Sequence, residues 1–106
     1  MRIEVDCGWY PIVERLGERL ACEGVNLTLA TEKWGWLRVY LDGIATPEVE
    51  AAVIHARREA ANTCSKCGAS PAEMRAVRGL RQVLCPACGG DAPRAVVRTR
   101  RVGQSA

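Results

Sequence analysis

Two Cys-x-x-Cys segments organise this chain, Cys64-Ser65-Lys66-Cys67-Gly68 and Cys85-Pro86-Ala87-Cys88-Gly89, with 17 residues between Cys67 and Cys85. Two thiolates at this spacing can turn toward one metal ion, and two such pairs complete the closed tetrahedral site that binds structural zinc. A glycine after each pair suits a position with positive φ, which frees backbone N–H groups to bond the sulfurs. The sequence therefore predicts one structural Zn²⁺, with no open position for water or substrate, held by Cys64, Cys67, Cys85 and Cys88.

Disulfide bonds in a secreted protein are the alternative use of these cysteines. The N-terminal segment Met1-Arg2-Ile3-Glu4-Val5-Asp6 contains two acids and no apolar run, so it lacks the pattern of a secretory signal. Paired Cys-x-x-Cys spacing in a reducing compartment favours a metal over disulfides. We therefore expect a cytoplasmic protein. The sequence has no apolar run of about 18 residues, so we expect no membrane span.

The segment between the cysteine pairs has the pattern of a β-hairpin. Two apolar stretches, 74–77 and 80–84, flank the turn Arg78-Gly79. A hairpin between two cysteine pairs is the zinc-ribbon arrangement. A treble clef would instead need a helix beginning at the second pair. Because Gly89-Gly90-Asp91-Ala92-Pro93 is a poor helix start, the sequence favours the ribbon.

The chain before the cysteines carries the signals of a small α+β body. Alternating apolar residues predict a weak strand near residues 3–5 and two strands, 25–30 and 37–41, joined as a hairpin through Glu32-Lys33-Trp34-Gly35. Apolar stripes at helical spacing predict two helices, and Thr46-Pro47-Glu48 begins the second one. These helices span 11–23 and 47–61. We expect an α+β fold, in which a small antiparallel sheet with two helices precedes a C-terminal Cys₄ zinc ribbon.

Charge divides the chain at the same places. The formal net charge is +3, but the body, residues 1–61, is mildly acidic, whereas the ribbon module, 62–90, and the Arg-rich, partly disordered tail, 91–106, are basic. Four thiolates on one Zn²⁺ remove two units of charge, which leaves about +1 and moves the surplus to the tail. Nucleic-acid binding is therefore an alternative function, and it would use Arg75, Arg78, Arg81, Arg94, Arg98, Arg100 and Arg101.

Aromatic residues alternate with arginine on one side of the predicted strand 37–41. Period-two geometry places Trp36, Arg38 and Tyr40 on one face, and Trp34 shares that face if the strand extends back. Such a face can anchor a protein partner or stack bases. The alternative is that the zinc ribbon or a dimer mate covers it.

The remaining reactive residues predict no catalytic site. The chain has one histidine, His55, which falls on the polar side of the second predicted helix. Cys7 and Cys22 could join it in a second metal site only with a fourth strong ligand that is not evident, so we expect both to be reduced, unligated cysteines. No Ser-His or Cys-His pairing and no glycine-rich phosphate loop can be argued. We expect a protein that is not an enzyme.

Three motifs give the chain a resemblance to a known group of proteins. Gly8-Trp9-x-Pro11, Lys33-x-Gly35-x-Leu37-Arg38-x-Tyr40 and the two cysteine pairs follow one another in that order. Over about residues 7–89 the chain resembles small uncharacterised zinc-binding proteins encoded by bacteriophages and prophages of GC-rich bacteria, in which phenylalanine is more usual where Trp34 stands. The resemblance implies a phage origin, and small phage proteins often act on host defence or transcription, anti-CRISPR proteins among them.

These observations favour a binding protein over an enzyme. We expect it to bind and block a host protein or complex, such as a CRISPR-type defence complex or a transcription complex, in the cytoplasm of the bacterial host cell. The expected contact residues are Trp34, Trp36, Arg38 and Tyr40. A nucleic-acid-binding zinc ribbon is one alternative, and an architectural homodimer is another, so the chain is expected to be a monomer or a homodimer without a membrane association.

Overall fold

The computed structural model describes residues 1–90 and Pro93 and has the expected α+β fold. Its elements in chain order are β1 (Arg2–Glu4), a 3₁₀ turn (Cys7–Trp9), α1 (Tyr10–Cys22), β2 (Asn26–Lys33), β3 (Trp36–Asp42), α2 (Pro47–Ala61), β4 (Glu73–Val77), β5 (Leu80–Leu84) and α3 (Pro86–Gly89). Among these helices, none has the length and apolar character needed to cross a membrane. Apart from Pro93, the tail 91–106 lies outside the described residues, and the disorder predicted for it stays a prediction.

The strands form two sheets. One has the order β1-β2-β3, and the other is the hairpin β4-β5. β2 and β3 are antiparallel as predicted, but β1 runs parallel to β2, so the first sheet is mixed and the expectation of a wholly antiparallel sheet was wrong. The physical reason is the connection: α1 crosses back along the sheet between β1 and β2, and such a crossover joins parallel strands.

The core of the body lies between the first sheet and two helices that pack on it. α1 contacts β2, and α2 contacts β3. The hydroxyl of Thr46 accepts a hydrogen bond from the N–H of Val49 at 3.2 Å, and Pro47 occupies the first turn, so α2 begins where the sequence predicts. The helix residues buried against the sheet are Ile12, Val13, Leu16 and Leu20 of α1 and Val49, Ala56 and Ala60 of α2.

A β-bulge in β2 changes which residues of that strand face the core. The register with β3 shifts between Leu27 and Leu29. Leu27 and Ala30 are therefore both buried, and Leu29 turns outward beside Tyr40. Simple alternation predicted the opposite places for Leu29 and Ala30. An extra residue in one strand reverses the side-chain alternation beyond it, and that reversal leaves no local sequence signal.

The body and the ribbon share one hydrophobic core. Trp9 and Leu37 of the body belong to the same buried cluster as Met74 and Val83 of the ribbon. The β2–β3 turn lies directly on the ribbon, because a Cβ atom at Gly35 would stand 2.3 Å from the sulfur of Met74. The segments 1–61 and 62–90 therefore stabilise each other by packing.

Candidate metal centre

Four cysteines come together at one end of the ribbon. Cys64 and Cys67 lie in the loop after α2, Cys85 follows β5, and Cys88 lies in α3. Their sulfur atoms all lie within 4.8 Å of one another. The Cys67 and Cys85 sulfurs are 3.6 Å apart, which is far beyond a disulfide bond of about 2.05 Å. Tetrahedral thiolates about 2.3 Å from a metal stand about 3.8 Å apart, so the cluster has the dimensions of a metal site.

Each of the two cysteine loops is closed by a backbone hydrogen bond of the same type. The N–H of Gly68 donates to the carbonyl of Cys64 at 2.9 Å, and the N–H of Gly89 donates to the carbonyl of Cys85 at 2.7 Å. Gly68 has the positive φ predicted for it, +81°. Gly89 does not: it ends α3, and the positive φ falls on Gly90. The Arg75 side chain passes close over Gly89, since a Cβ atom there would lie 2.5 Å from Cδ of Arg75.

A short helix follows the second cysteine pair. α3 has four residues, Pro86–Gly89. Cys85 caps it, because its sulfur accepts a hydrogen bond from the N–H of Cys88 at 3.4 Å. A treble clef would carry a longer helix at this point. The described structure, a β-hairpin between two cysteine pairs with one helical turn at its end, matches the ribbon prediction better.

The surroundings of the four thiols give them different acidities. Burial acts to raise the pKa of Cys64, but backbone N–H groups, including those of Cys67 and Cys85, outweigh it and lower this pKa from 9.0 to about 6. The N–H of Cys88 lowers the pKa of Cys85. For Cys67 the N–H of Ala69 acts to lower the pKa, but the sulfurs of Cys85 and Cys64 raise it overall.

The pKa of Cys88 is shifted furthest. The neighbouring sulfurs, that of Cys67 first, raise it to about 12. A second, third and fourth thiolate in so small a volume are therefore increasingly hard to form without an opposing charge. A divalent cation at the centre supplies that charge, so the chemistry of the donor set as well as its spacing fits a metal ion.

The turn before α1 is a part of the site that the sequence reasoning missed. The N–H of Gly8 donates to the carbonyl of Ser65 at 2.8 Å, and the indole N–H of Trp9 donates to the carbonyl of Thr63 at 2.8 Å. The thiol of Cys7 donates to the carbonyl of Lys66 at 3.3 Å. The Cys7–Trp9 turn therefore fixes the first cysteine loop against the body. The sequence signal for this contact is the motif Gly8-Trp9-x-Pro11, which served above only as part of the resemblance.

The arginines assigned to nucleic acid occupy different environments. Arg75 is largely inside the ribbon, with 16% of its side chain exposed, and its Nε donates to the carbonyl of Leu84 at 3.4 Å. Arg78 and Arg81 are exposed. Arg94, Arg98, Arg100 and Arg101 lie outside the described residues. The structure thus brings only Arg78 and Arg81 to the surface of the ribbon as described.

The aromatic surface, by which we mean Trp34, Trp36, Arg38 and Tyr40, is exposed in the single chain. The exposed fractions are 66% for Trp34, 39% for Trp36 and 50% for Tyr40, and Arg38 is exposed as well. The inner residues of the same strand behave oppositely, since Leu37 is buried. The described part of the ribbon therefore does not cover this surface, and coverage by a dimer mate stays open as an alternative.

The remaining cysteines and the histidine are not members of the four-cysteine cluster. Cys7 and Cys22 are exposed free thiols, and His55 is exposed on α2. Within the described residues, the only group of three or more cysteine, histidine or carboxylate side chains arranged for a metal is the four-cysteine cluster.

Comparisons with protein-family models, with curated proteins and with solved structures find no match to this chain.

Proposed function

We propose that the chain is a binding protein without enzymatic activity, stabilised by one structural Zn²⁺ ion. Support for zinc comes from the four convergent thiols: thiolates and tetrahedral geometry are what zinc prefers among the common divalent ions. With all four coordination positions taken by Cys64, Cys67, Cys85 and Cys88, no position would be left for a substrate or an activated water. The ion would hold the cysteine loops together and through them the shared core.

The observation that carries the binding function is the exposure of the aromatic surface. The chain has three tryptophans and no phenylalanine, yet Trp34 and Trp36 lie on the outside while only Trp9 is buried. Burying one large aromatic side chain contributes about 1.5–3 kcal/mol to folding. A chain that leaves two of its three tryptophans outside the core gives up this contribution. Aromatic side chains and arginine are the residues most enriched at the energetic centres of protein interfaces.

We propose further that the partner is a protein of a bacterial host, bound in its cytoplasm and blocked by occlusion. The support for this step is the resemblance to phage-encoded proteins over about residues 7–89, which points to a defence complex of the CRISPR type or a transcription complex. A reducing cytoplasm would keep the four thiols available for zinc.

A pull-down with matched variants tests the binding proposal. The zinc-loaded protein is used as bait in a bacterial lysate beside Trp36→Ala/Tyr40→Ala and a control, Ile44→Ala/Ile54→Ala. Ile44 and Ile54 are also exposed apolar residues, at 81% and 48%, but they lie off the aromatic surface. We expect a stoichiometric protein with the wild type and the control and its loss with Trp36→Ala/Tyr40→Ala. Equal recovery by all three would place the binding elsewhere, and no stoichiometric partner would count against the proposal.

The alternative function, nucleic-acid binding, is supported among the described residues by two exposed arginines, Arg78 and Arg81. A mobility-shift assay with duplex and single-stranded DNA at two salt concentrations separates it from protein binding, because phosphate contacts weaken steeply as salt rises. The absence of a shift at low salt would eliminate this alternative. A shift that Arg78→Ala/Arg81→Ala abolishes would make it the leading function.

A further inference from the structure

One long strand edge remains open in the described structure. β3 is the outer strand of its sheet and has seven residues, Trp36–Asp42. The other edges are short or covered: β1 has three residues, the N–H of Ser65 bonds to Val83 of β5, and the N–H of Ala76 in β4 bonds to Pro93. Along the outer side of β3, no strand pairs with it among the described residues.

The backbone groups that face this open edge can be identified from the hairpin. Trp34-Gly35 is a two-residue turn with positive φ at both positions, so Lys33 and Trp36 form its hydrogen-bonded closing pair. Alternate residues of β3 then bond to β2. The hydroxyl of Thr28 donates to the carbonyl of Tyr40 at 3.0 Å, which places that carbonyl on the β2 side as well. The N–H and carbonyl groups of the odd-numbered residues therefore point outward, and these residues are Leu37, Val39 and Leu41.

The sequence of β3 contains few features that normally protect a strand edge. It reads Trp36-Leu37-Arg38-Val39-Tyr40-Leu41-Asp42, with no proline, glycine or lysine, and the bulge of this hairpin lies in β2 and not in β3. Proteins that keep an edge unpaired usually place proline, lysine or a bulge on it. The charged residues of the strand are Arg38 and Asp42, so the edge is only weakly protected, and a weakly protected edge of this length is a template for another strand.

We propose that β3 pairs antiparallel with β3 of a second copy of this chain, with the two-fold axis at Val39. A continuous sheet must keep the buried sides of both copies on one face, which allows only registers that pair odd with odd and even with even residues. In the register centred on Val39, Leu37 lies opposite Leu41 of the second copy. Arg38 lies opposite the ring of Tyr40, and Trp36 lies opposite Asp42. All seven residues are then paired.

The neighbouring registers are less favourable. Centring the pair on Arg38 would place two arginines directly opposite each other, which is destabilising. Centring it on Tyr40 would pair only residues 38–42. The Val39 register instead places a cation against an aromatic ring twice. Charge and apolar complementarity of the strand with itself thus favour a second copy over an unrelated strand.

The dimer goes beyond the proposed function and does not depend on it. Edge pairing leaves both faces of the sheet free, so a six-stranded sheet would display the aromatic surface twice around the two-fold axis. A partner with its own two-fold symmetry, or one with two similar sites, would then be bound with the avidity of two contacts. A monomer that still captured a partner would overturn the dimer and leave the proposed function standing.

Charge exchange across the proposed pair tests both the dimer and its register. Sedimentation equilibrium of the zinc-loaded chain from micromolar to near-millimolar concentration should show a monomer–dimer equilibrium. Tyr40→Arg places an arginine opposite Arg38 at both symmetry-related positions of the dimer. This substitution should raise the dissociation constant of the dimer at least about tenfold. Arg38→Glu/Tyr40→Arg restores an opposite-charge pair and should return the dimer. Ile44→Arg, at an exposed site off β3, should change nothing.

The contradicting outcomes are equally defined. A wild type that sediments as a monomer at every concentration overturns the proposal and leaves the edge to a strand of another protein. A dimer that Tyr40→Arg does not weaken, or that Arg38→Glu/Tyr40→Arg fails to restore, overturns the Val39 register. Zinc content and far-ultraviolet circular dichroism check that each variant is folded. Amide exchange provides a second measurement, since the outward N–H of Val39 should become more protected as the protein concentration rises.

Discussion

At the scale of single residues, glycine 8 shows how closely the body and the cysteine loop approach each other. A Cβ atom at this position would lie 2.2 Å from the carbonyl oxygen of Cys64 and 2.6 Å from Ser65. Both neighbours are backbone atoms of the loop that carries Cys64 and Cys67, so a shift of either would disturb the four-cysteine cluster. The backbone of Gly8 itself contacts the backbone of the cysteine loop, and no space is left for a side chain. This close approach explains why glycine stands immediately before the buried Trp9.

Gly8→Ala should therefore destabilise the zinc-loaded protein by about 2 kcal/mol, because overpacking at a rigid contact forces the backbone apart. The matched control is Gly17→Ala in α1. A Cβ atom there would make ordinary van der Waals contacts, with the side chain of Met1 at 3.7 Å and that of Leu27 at 3.8 Å, and alanine in a helix is favoured over glycine by up to about 1 kcal/mol. Urea unfolding measures both. A Gly8→Ala protein as stable as the wild type would contradict the described contact.

Trp34 is the second residue with an unusual position. It occupies the first place of the two-residue turn with φ at +57° and is 66% exposed. Asparagine or aspartate is usual at this place, because the left-handed conformation is costly for a large side chain. Residues held in such a conformation at the surface often serve function more than stability.

Trp34→Asn should accordingly keep or raise the stability, by under about 1 kcal/mol, and weaken partner capture. The two measurements are urea unfolding and recovery of the partner in the pull-down described above. If Trp34 instead stabilises the fold, Trp34→Asn will lower the free energy of unfolding. The amount of partner recovered will then fall only as far as the fraction of folded protein falls.

At the scale of elements, the thiols of the two cysteine loops hold protons that a metal ion must displace when it binds. At pH 7 the Cys64 thiol is largely ionised, because its pKa is about 6. Cys88, with a pKa of about 12, is protonated, and Cys67, whose pKa is raised above 9.0, is protonated as well. Zinc binding requires all four as thiolates, so it must release the protons that remain.

We expect zinc binding at pH 7 to release about two to three protons per ion. The affinity should fall as the pH falls, and more steeply below pH 6, where Cys64 also becomes protonated. Calorimetric titration in two buffers that differ in ionisation enthalpy measures the number released. Release of four protons would mean that Cys64 has an ordinary pKa and that the loop N–H groups do not act on its sulfur.

The elements also show which features local sequence can predict. α2 was predicted to the residue because the Thr46 cap and Pro47 act within one turn. The ribbon hairpin was predicted because Arg78-Gly79 has its own turn chemistry, with φ at +52° and +80°. The parallel place of β1 and the bulge beside Leu29 depend on contacts between distant segments, and so does the docking of Gly8 on the first cysteine loop. Those contacts are set by packing, which a single sequence does not display.

At the scale of the whole molecule, the four-cysteine cluster is joined directly to the hydrophobic core. Trp9 is 1% exposed and lies in the same buried cluster as ribbon residues Met74 and Leu84. Its indole N–H bonds to the carbonyl of Thr63, one residue before the ligand Cys64. If the cluster holds zinc as proposed, loss of the ion would release the cysteine loop and expose Trp9 beneath it.

Removal of zinc by a chelator should therefore expose Trp9 as well as loosen the ribbon. Trp34→Phe/Trp36→Phe leaves Trp9 as the single tryptophan, and its fluorescence emission should shift to longer wavelength when the metal is removed and return when zinc is added. The same experiment on a Cys22→Ser background is the control, because Cys22 is exposed and outside the cluster. An unchanged emission would show that the body folds without the metal centre.

Zinc in the four-cysteine cluster is the central claim, and elemental analysis of freshly purified protein tests it in one step. We predict about one equivalent of zinc per chain, lost in Cys85→Ser and retained in Cys22→Ser, since four convergent thiolates bind zinc tightly near neutral pH. Less than about half an equivalent of zinc or any other metal in the wild type would contradict a structural Cys₄ site.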